Sequence, residues 1–154
     1  MILILILILG VSLSSGLEIK DCGSKGKDIQ LRISSCSESD ISCPLIHGTD
    51  VTLEADFTVN KKTSNVKIEL YGTVGFFPIA VPFYLGKDKD QVCSEHYDVN
   101  CPLKPETKQT VKITLPINNL YPTVNVKIRV KLVDHENDKE SIICKEFPAK
   151  ISMT

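Results

Sequence analysis

The side chains in this chain best placed to do chemistry are its six cysteines, at Cys22, Cys36, Cys43, Cys93, Cys101 and Cys144. An even set of thiols behind an apolar leader reads as a disulfide framework in an oxidising compartment. Cys36 and Cys43 bracket a short polar loop, Cys93 and Cys101 bracket another, and Cys22 and Cys144 stand near opposite ends. Spacing alone leaves the pairing open. A metal site is not expected, because no C-x-x-C occurs and oxidising conditions disfavour free thiolates. A cysteine nucleophile would need an unpaired thiol, which a complete framework does not leave. Neither a Gly-x-Ser-x-Gly nor a His-Glu-x-x-His string is present. His96 and His135 lie in polar loops and read as surface residues, whereas His47, between Ile46 and Gly48, reads as partly buried. The acids Glu54 and Asp56 fall on the polar face of an alternating segment, where solvation is the default. No catalytic residue, cofactor or metal is expected, so the chain reads as a non-enzyme.

The leader sets the compartment. Residues 1–16 run from Met1 through the Ile/Leu repeat Ile2–Leu9 to Ser14 and Gly16, small residues at the −3 and −1 positions for cleavage before Leu17. The run is shorter than the roughly 20 apolar residues that span a bilayer. A cleaved signal peptide over 1–16 is expected, with an uncleaved signal anchor as the alternative. Residues 17–154 then form one domain, long enough to close a core that disulfides reinforce. The net charge of −1 argues against a nucleic-acid partner. None of the asparagines begins an Asn-x-Ser/Thr sequon, so N-glycosylation is not expected. Extracellular secretion is therefore favoured over sugar-directed routing to the lysosomal lumen.

The elements that must carry these residues alternate with a period of two. Ile29, Leu31 and Ile33 form one apolar row; Val51 to Val59, Val66 to Leu70, Val111 to Leu115 and Val124 to Leu132 form longer ones, each interleaved with polar residues. That pattern puts one face of each strand on a core and the other in water. Leu17–Lys20 reads as an initial strand and Ser141–Ile151 as a final one. Asn60–Asn65 reads as a polar hairpin loop, and Asp134–Lys139 as another. No segment carries a helical stripe. The fold class expected is all-β, a sandwich of two antiparallel sheets. One stretch, Val74–Leu85, is apolar on both faces and holds Pro78 and Pro82, which mark an edge strand or a loop. An apolar edge needs a cover, either the other sheet or a ligand. A second proline-marked apolar patch runs Leu115-Pro116-Ile117 and Leu120-Tyr121-Pro122.

Taken in order, Cys22, the Cys36/Cys43 pair, the Phe83 region before Cys93, Asn100-Cys101-Pro102-Leu103, Leu115-Pro116-Ile117, Tyr121-Pro122-Thr123 and Cys144 followed by Phe147-Pro148 carry a resemblance. The chain resembles the ML (myeloid-differentiation-related lipid-recognition) domain family, which includes the soluble Niemann–Pick type C sterol carrier and the mite group 2 allergens. The resemblance covers Leu17 to Ile151. It implies an immunoglobulin-like β-sandwich whose sheets splay around an internal apolar cavity, with bridges Cys22–Cys144, Cys36–Cys43 and Cys93–Cys101. It implies lipid-contacting roles for Phe83, Ile117 and Tyr121, with Val81 and Pro82 at the same mouth. Two departures stand out: a longer segment between Phe83 and Cys93 carrying Lys87-Asp88-Lys89-Asp90, and Lys145 where the sterol carrier has tryptophan after its last cysteine.

Two functions from different classes follow. The first is a secreted carrier holding a sterol, fatty acid or phospholipid between its sheets. As a monomer, it would make transient contact with membranes or a lipid-accepting membrane protein. The second is a secreted immune-recognition or adhesion module with a filled core, acting through its surface. Lys127, Arg129 and Lys131 share one strand face, with Lys112 expected nearby. That face is either a solvated surface or an attraction for anionic lipid.

Overall fold

Alternation in the sequence becomes alternation of burial. In the strand Asp50–Thr58, Val51, Leu53, Ala55 and Phe57 turn inward while Thr52, Glu54 and Asp56 turn outward. The computed structural model describes residues 16–75, 77 and 79–154. The expected signal peptide lies outside these residues apart from Gly16, as do Phe76 and Pro78. Among the described residues nine strands form: β1 (Lys20–Asp21), β2 (Lys27–Ile33), β3 (Cys43–Ile46), β4 (Asp50–Thr58), β5 (Val66–Val74), β6 (Ala80–Pro82), β7 (Gln109–Pro116), β8 (Asn125–Asp134) and β9 (Glu140–Ser152). No helix is present among them, so none is long and apolar enough to cross a membrane.

The strands make two layers. One sheet runs β1-β9-β8-β5-β6, with β3 added beside β9; the other runs β2-β4-β7. Pairing is antiparallel except at β3, which runs parallel to β9 with Leu45 opposite Ile151. The sequence reading left β3 out because Cys43-Pro44-Leu45-Ile46 is too short to show alternation. Its partner decides it: β1 pairs with β9 at Glu146 and Lys145, leaving Ala149 to Ser152 free on the same edge for β3. The initial strand is shorter than expected, pairing only at Lys20 and Asp21. The loop Asn60–Asn65 is a crossover rather than a hairpin, because β4 pairs with β2 and β7 while β5 pairs with β8 and β6. Thr63 anchors this crossover. It exchanges backbone hydrogen bonds with Leu103, and its hydroxyl donates to Asp134 Oδ1 at 2.7 Å inside the fold.

The core between the layers is aliphatic, with Phe57 and Phe147 its largest fully buried side chains. Three disulfides close around it with the pairing the resemblance implies: Cys22–Cys144, Cys36–Cys43 and Cys93–Cys101, at Cα separations of 4.9, 5.0 and 5.9 Å. The first ties the amino-terminal segment to β9. The second closes the crossover from β2 to β3, and the third the loop between β6 and β7.

On the outer face of the smaller sheet, Arg32 donates to both oxygens of Asp56 at 2.8 and 2.9 Å and to Glu54 at 2.6 Å. Thr110 donates to Asp56 at 2.7 Å from β7. The row crosses all three strands, so it clamps them together from outside. The Arg32 guanidinium, and then the Thr110 hydroxyl, hold the Asp56 carboxyl well below the usual carboxylate range.

Two outcomes follow. A Cys22→Ser/Cys144→Ser double variant, which opens a closure spanning 122 positions, should lose about 4–5 kcal/mol. Removing Cys93 and Cys101, separated by 8 positions, should cost about 2–3 kcal/mol by the same loop-entropy argument. Chemical denaturation of both variants checks the order. For Asp56, a depressed native pKa means its contribution is complete above the unfolded carboxylate value of about 3.9 and is lost as pH falls below it. Asp56→Asn should therefore lower the denaturation midpoint at pH 7, and the gap to wild type should narrow below about pH 4.

Candidate functional site

One end of the sandwich is closed by side chains rather than by strands. β6 hydrogen-bonds to β5 with Val81 opposite Gly72, and Phe83 continues that line with its N–H donating to the Leu70 carbonyl at 2.9 Å. The loop from β7 to β8 brings Tyr121 to meet it. The Phe83 and Tyr121 rings lie edge to face, with centroids 5.2 Å apart and planes at 88°. Such a pair contributes roughly 0.5–1.5 kcal/mol beyond its area, enough to hold two side chains together but little against a ligand.

Gly72 makes this contact fit. It sits at an inward position of β5, in register with Ile128 on β8. A Cβ there would stand 2.9 Å from the Phe83 ring and 2.9 Å from Val126. The missing side chain is the seat of the Phe83 ring. A glycine interrupting the apolar row Val66-Ile68-Leu70 was the signal available in the sequence, and sequence reasoning missed it. Val74 and Pro122, which also line the site, belong to the two proline-marked apolar stretches read from the sequence; Val124, Val126 and Ile151 were missed, because nothing in their local sequence marks the open end of a sandwich.

Together these residues surround an apolar cleft of about 90 Å³, lined by Val81, Pro82, Phe83 and Tyr121 among others. No acid, base or free thiol lines it. Of the expected lipid-contacting residues, the structure brings these four together. Ile117 is buried between the sheets and stands outside the lining of this cleft. Ile79, Val81 and Leu120 are 69, 59 and 89 % exposed, an apolar set on the two segments that carry the aromatic pair.

The histidines divide differently from the sequence reading. His47 is half-buried as expected, and its Nε2 lies 2.9 Å from the Tyr121 carbonyl oxygen. His96 is exposed. His135, expected at the surface, has its Nε2 buried without a hydrogen-bond partner, because the turn after β8 folds back and its N–H donates to the Asn65 carbonyl.

A larger hollow, about 700 Å³, lies on the outer face of the larger sheet, between Tyr71, Thr73, Lys127, Arg129 and Glu146. It is the strand face expected to be basic. Two of its three expected cations are paired, Arg129 donating to Glu146 at 2.8 Å and Lys127 lying 3.9 Å from the same carboxylate, while Lys131 shares the strand face but does not line the hollow. Lys112 belongs to the other sheet, 3.9 Å from Glu54, so it does not join that face. The small cleft, with its almost wholly apolar lining and its ring pair, is the better candidate for an apolar guest; the larger hollow mixes apolar residues such as Phe77, Ala80 and Pro148 with the charged row Lys127, Arg129 and Glu146.

Comparison with known proteins gives one family. The profile described as ML domain matches residues 16–151. The NPC intracellular cholesterol transporter 2 homolog a of Drosophila melanogaster is 34% identical over 142 residues, covering 92% of this chain and 91% of that protein. The mite group 2 allergen Gly d 2.02 of Glycyphagus domesticus is 33% identical over 120 residues, 77% of this chain and 88% of the allergen. Among solved structures, a Niemann-Pick type C2 protein from Japanese carpenter ant superimposes with a TM-score of 0.74 at 30% identity, covering 88% of this chain and 99% of that one.

If Gly72 seats the Phe83 ring, Gly72→Ala should overpack the mouth and cost about 1–3 kcal/mol. Urea denaturation measures the loss. An unchanged midpoint would mean that the ring does not rest there.

Proposed function

This chain belongs to the ML domain family, and from that premise we propose that it is a secreted, monomeric lipid carrier. It takes up a sterol, a fatty acid or a related lipid between its sheets, through the mouth framed by Val81, Pro82, Phe83 and Tyr121. The observation that carries this reading is the cleft itself: apolar, uncharged, and stoppered by an aromatic pair instead of by strands. Its drosophilid relative is named as a cholesterol transporter, and the structural neighbour as a Niemann-Pick type C2 protein. The leader at residues 1–16 and the disulfide framework support secretion.

The physical account needs only the hydrophobic effect. Burying about 400 Å² of lipid surface releases on the order of 10 kcal/mol gross at about 25 cal/mol per Å². Ordering and lost translation remove much of it, leaving micromolar to nanomolar affinity in reach. A lipid needs a pocket of at least about 300 Å³, whereas the cleft holds about 90 Å³. On this reading a bound lipid needs more room than the described conformation offers, and its entry parts Phe83 from Tyr121. Ile117, buried in the core, would meet only a guest that reaches past this lining. Exposed Ile79, Val81 and Leu120 give the rim an apolar surface for transient contact with a membrane or a lipid-accepting membrane protein. An uncharged cleft offers no acid, base or nucleophile, which supports binding rather than catalysis.

The small volume of that cleft favours, as a second reading, a secreted immune-recognition or adhesion module whose core is simply full. Mass spectrometry of organic extracts of the purified protein separates the two: a stoichiometric lipid supports the carrier. Phe83→Ala and Tyr121→Ala should each weaken binding of a fluorescent sterol or fatty acid about tenfold or more while the protein stays folded. A protein that is empty and takes up neither probe belongs to the second reading.

A further inference from the structure

The loop carrying Tyr121 is held by very little. It joins β7 to β8 and passes from the smaller sheet to the larger. Its ends are fixed by backbone bonds: Ile117 N–H donates to Thr49 O at 2.9 Å, Gly48 N–H to Ile117 O at 2.8 Å, and Ile151 N–H to Val124 O at 2.9 Å. Between those ends the loop bonds to itself. Leu120 N–H donates to the Asn118 side chain at 2.8 Å and Tyr121 N–H to the Asn118 carbonyl at 3.1 Å. Leu120, Pro122 and Thr123 are exposed, so the packing of this stretch rests on the half-buried Tyr121. Among the described residues, one hydrogen bond reaches Asn118–Thr123 from elsewhere in the fold: His47 Nε2 to Tyr121 O, 2.9 Å.

His47 is well mounted for this. It follows β3, which belongs to the larger sheet, and precedes β4, which belongs to the smaller one. Its N–H donates to Ser152 O at 2.9 Å, one residue past the cleft-lining Ile151. The ring therefore stands on the turn that links the two layers at the mouth. A carbonyl oxygen only accepts, so Nε2 must carry the hydrogen.

We propose that His47 is a positioning residue for the mouth: its Nε2–H bond to the Tyr121 carbonyl holds the loop at the height where Tyr121 meets Phe83. This bond sets how fast a lipid enters and leaves, a step that rests on the lipid-carrier reading. His47 touches no ligand in this role and acts through Tyr121. Freed from it, the loop keeps the packing of Tyr121 against the core and its edge-to-face contact with Phe83, but loses the hydrogen bond that reaches it from outside. Phe83 keeps its own supports, through Gly72 and the bond to Leu70.

Two variants and one spectrum test this. In His47→Leu, which keeps bulk and removes the donor, amide hydrogen exchange at Leu120 and Tyr121 in the lipid-free protein should quicken about five- to tenfold. Amides of β5 and β8 should be unchanged. Release of a preloaded anthroyloxy fatty acid should quicken by a similar factor. His47→Gln, whose amide nitrogen reaches about as far as Nε2, should restore both rates. In the wild type, a long-range proton–nitrogen spectrum should find Nε2 protonated, a reading that stands even if His47→Leu does not fold. Unchanged loop exchange in His47→Leu, a neutral ring protonated only at Nδ1, or failure of glutamine to restore the rates would overturn the tether. Faster exchange with unchanged release would overturn its control of the mouth. A wild-type protein that takes up no probe would overturn the carrier reading and the release step, while the exchange data would still decide whether His47 holds the loop.

Discussion

Everything at the mouth depends on how the spacing between the two sheets is held. Over most of the sandwich that spacing is filled: Phe57, Leu53 and Ile113 from one layer meet Phe147, Ile128 and Ile143 from the other with almost no exposure. At one end the strands stop meeting and the chain crosses between layers instead, through the turn after β3 and the loop after β7. A space bounded by crossovers cannot be sealed by a hydrogen-bonded ladder. It is sealed by two rings, one seated where Gly72 has no side chain and the other carried on a loop tied to His47. Packing that interlocks resists opening because each side chain loses many contacts at once. A pair of rings on a glycine and a loop has fewer contacts to lose than that interlocked packing.

Polar chemistry is kept away from that end. The strongest charge-assisted bonds lie on outer faces: Arg32 with Asp56 and Glu54 on the smaller sheet, Arg129 with Glu146 on the larger. The buried polar corner, Thr63 with Asp134, sits where the β4–β5 crossover meets the β8–β9 turn. These groups stabilise the layers without bringing a charge to the cleft, whose lining would otherwise hold water and repel an apolar guest. Lys145 illustrates the arrangement. It stands directly after the last cysteine, yet its ammonium turns to Asp21 at 3.1 Å, and it supplies no charge to the mouth.

The relation to the ML domain proteins makes sense in these terms. The long segment between Phe83 and Cys93 does not cap the cleft. It runs back along β5, where Ile68 N–H donates to Asp90 O and Val92 N–H to Val66 O, burying Leu85 and Val92. The additional charges therefore decorate the side of the sandwich rather than its opening. The third disulfide then closes the polar loop beyond them.

How much of this was legible beforehand depends on the range of the interaction. Period-two alternation is a local property, so β4, β5, β7, β8 and β9, their buried faces and the all-β class could be read from residues alone. The order of cysteines and of Asn-Cys-Pro and Tyr-Pro-Thr supplied the family, and with it the disulfide pairing and the aromatics Phe83 and Tyr121. What could not be read is everything set by neighbours distant in sequence. Parallel β3 exists because β1 leaves half of one edge of β9 unpaired. Asn60–Asn65 crosses between layers because β5 finds β8, not β4. His135 buries its Nε2, and His47 reaches Tyr121 across 74 positions of sequence. Local pattern determines which face of a strand is apolar; only the packing of two layers decides where those faces fail to meet, because a gap belongs to the pair of sheets and to no single stretch of chain.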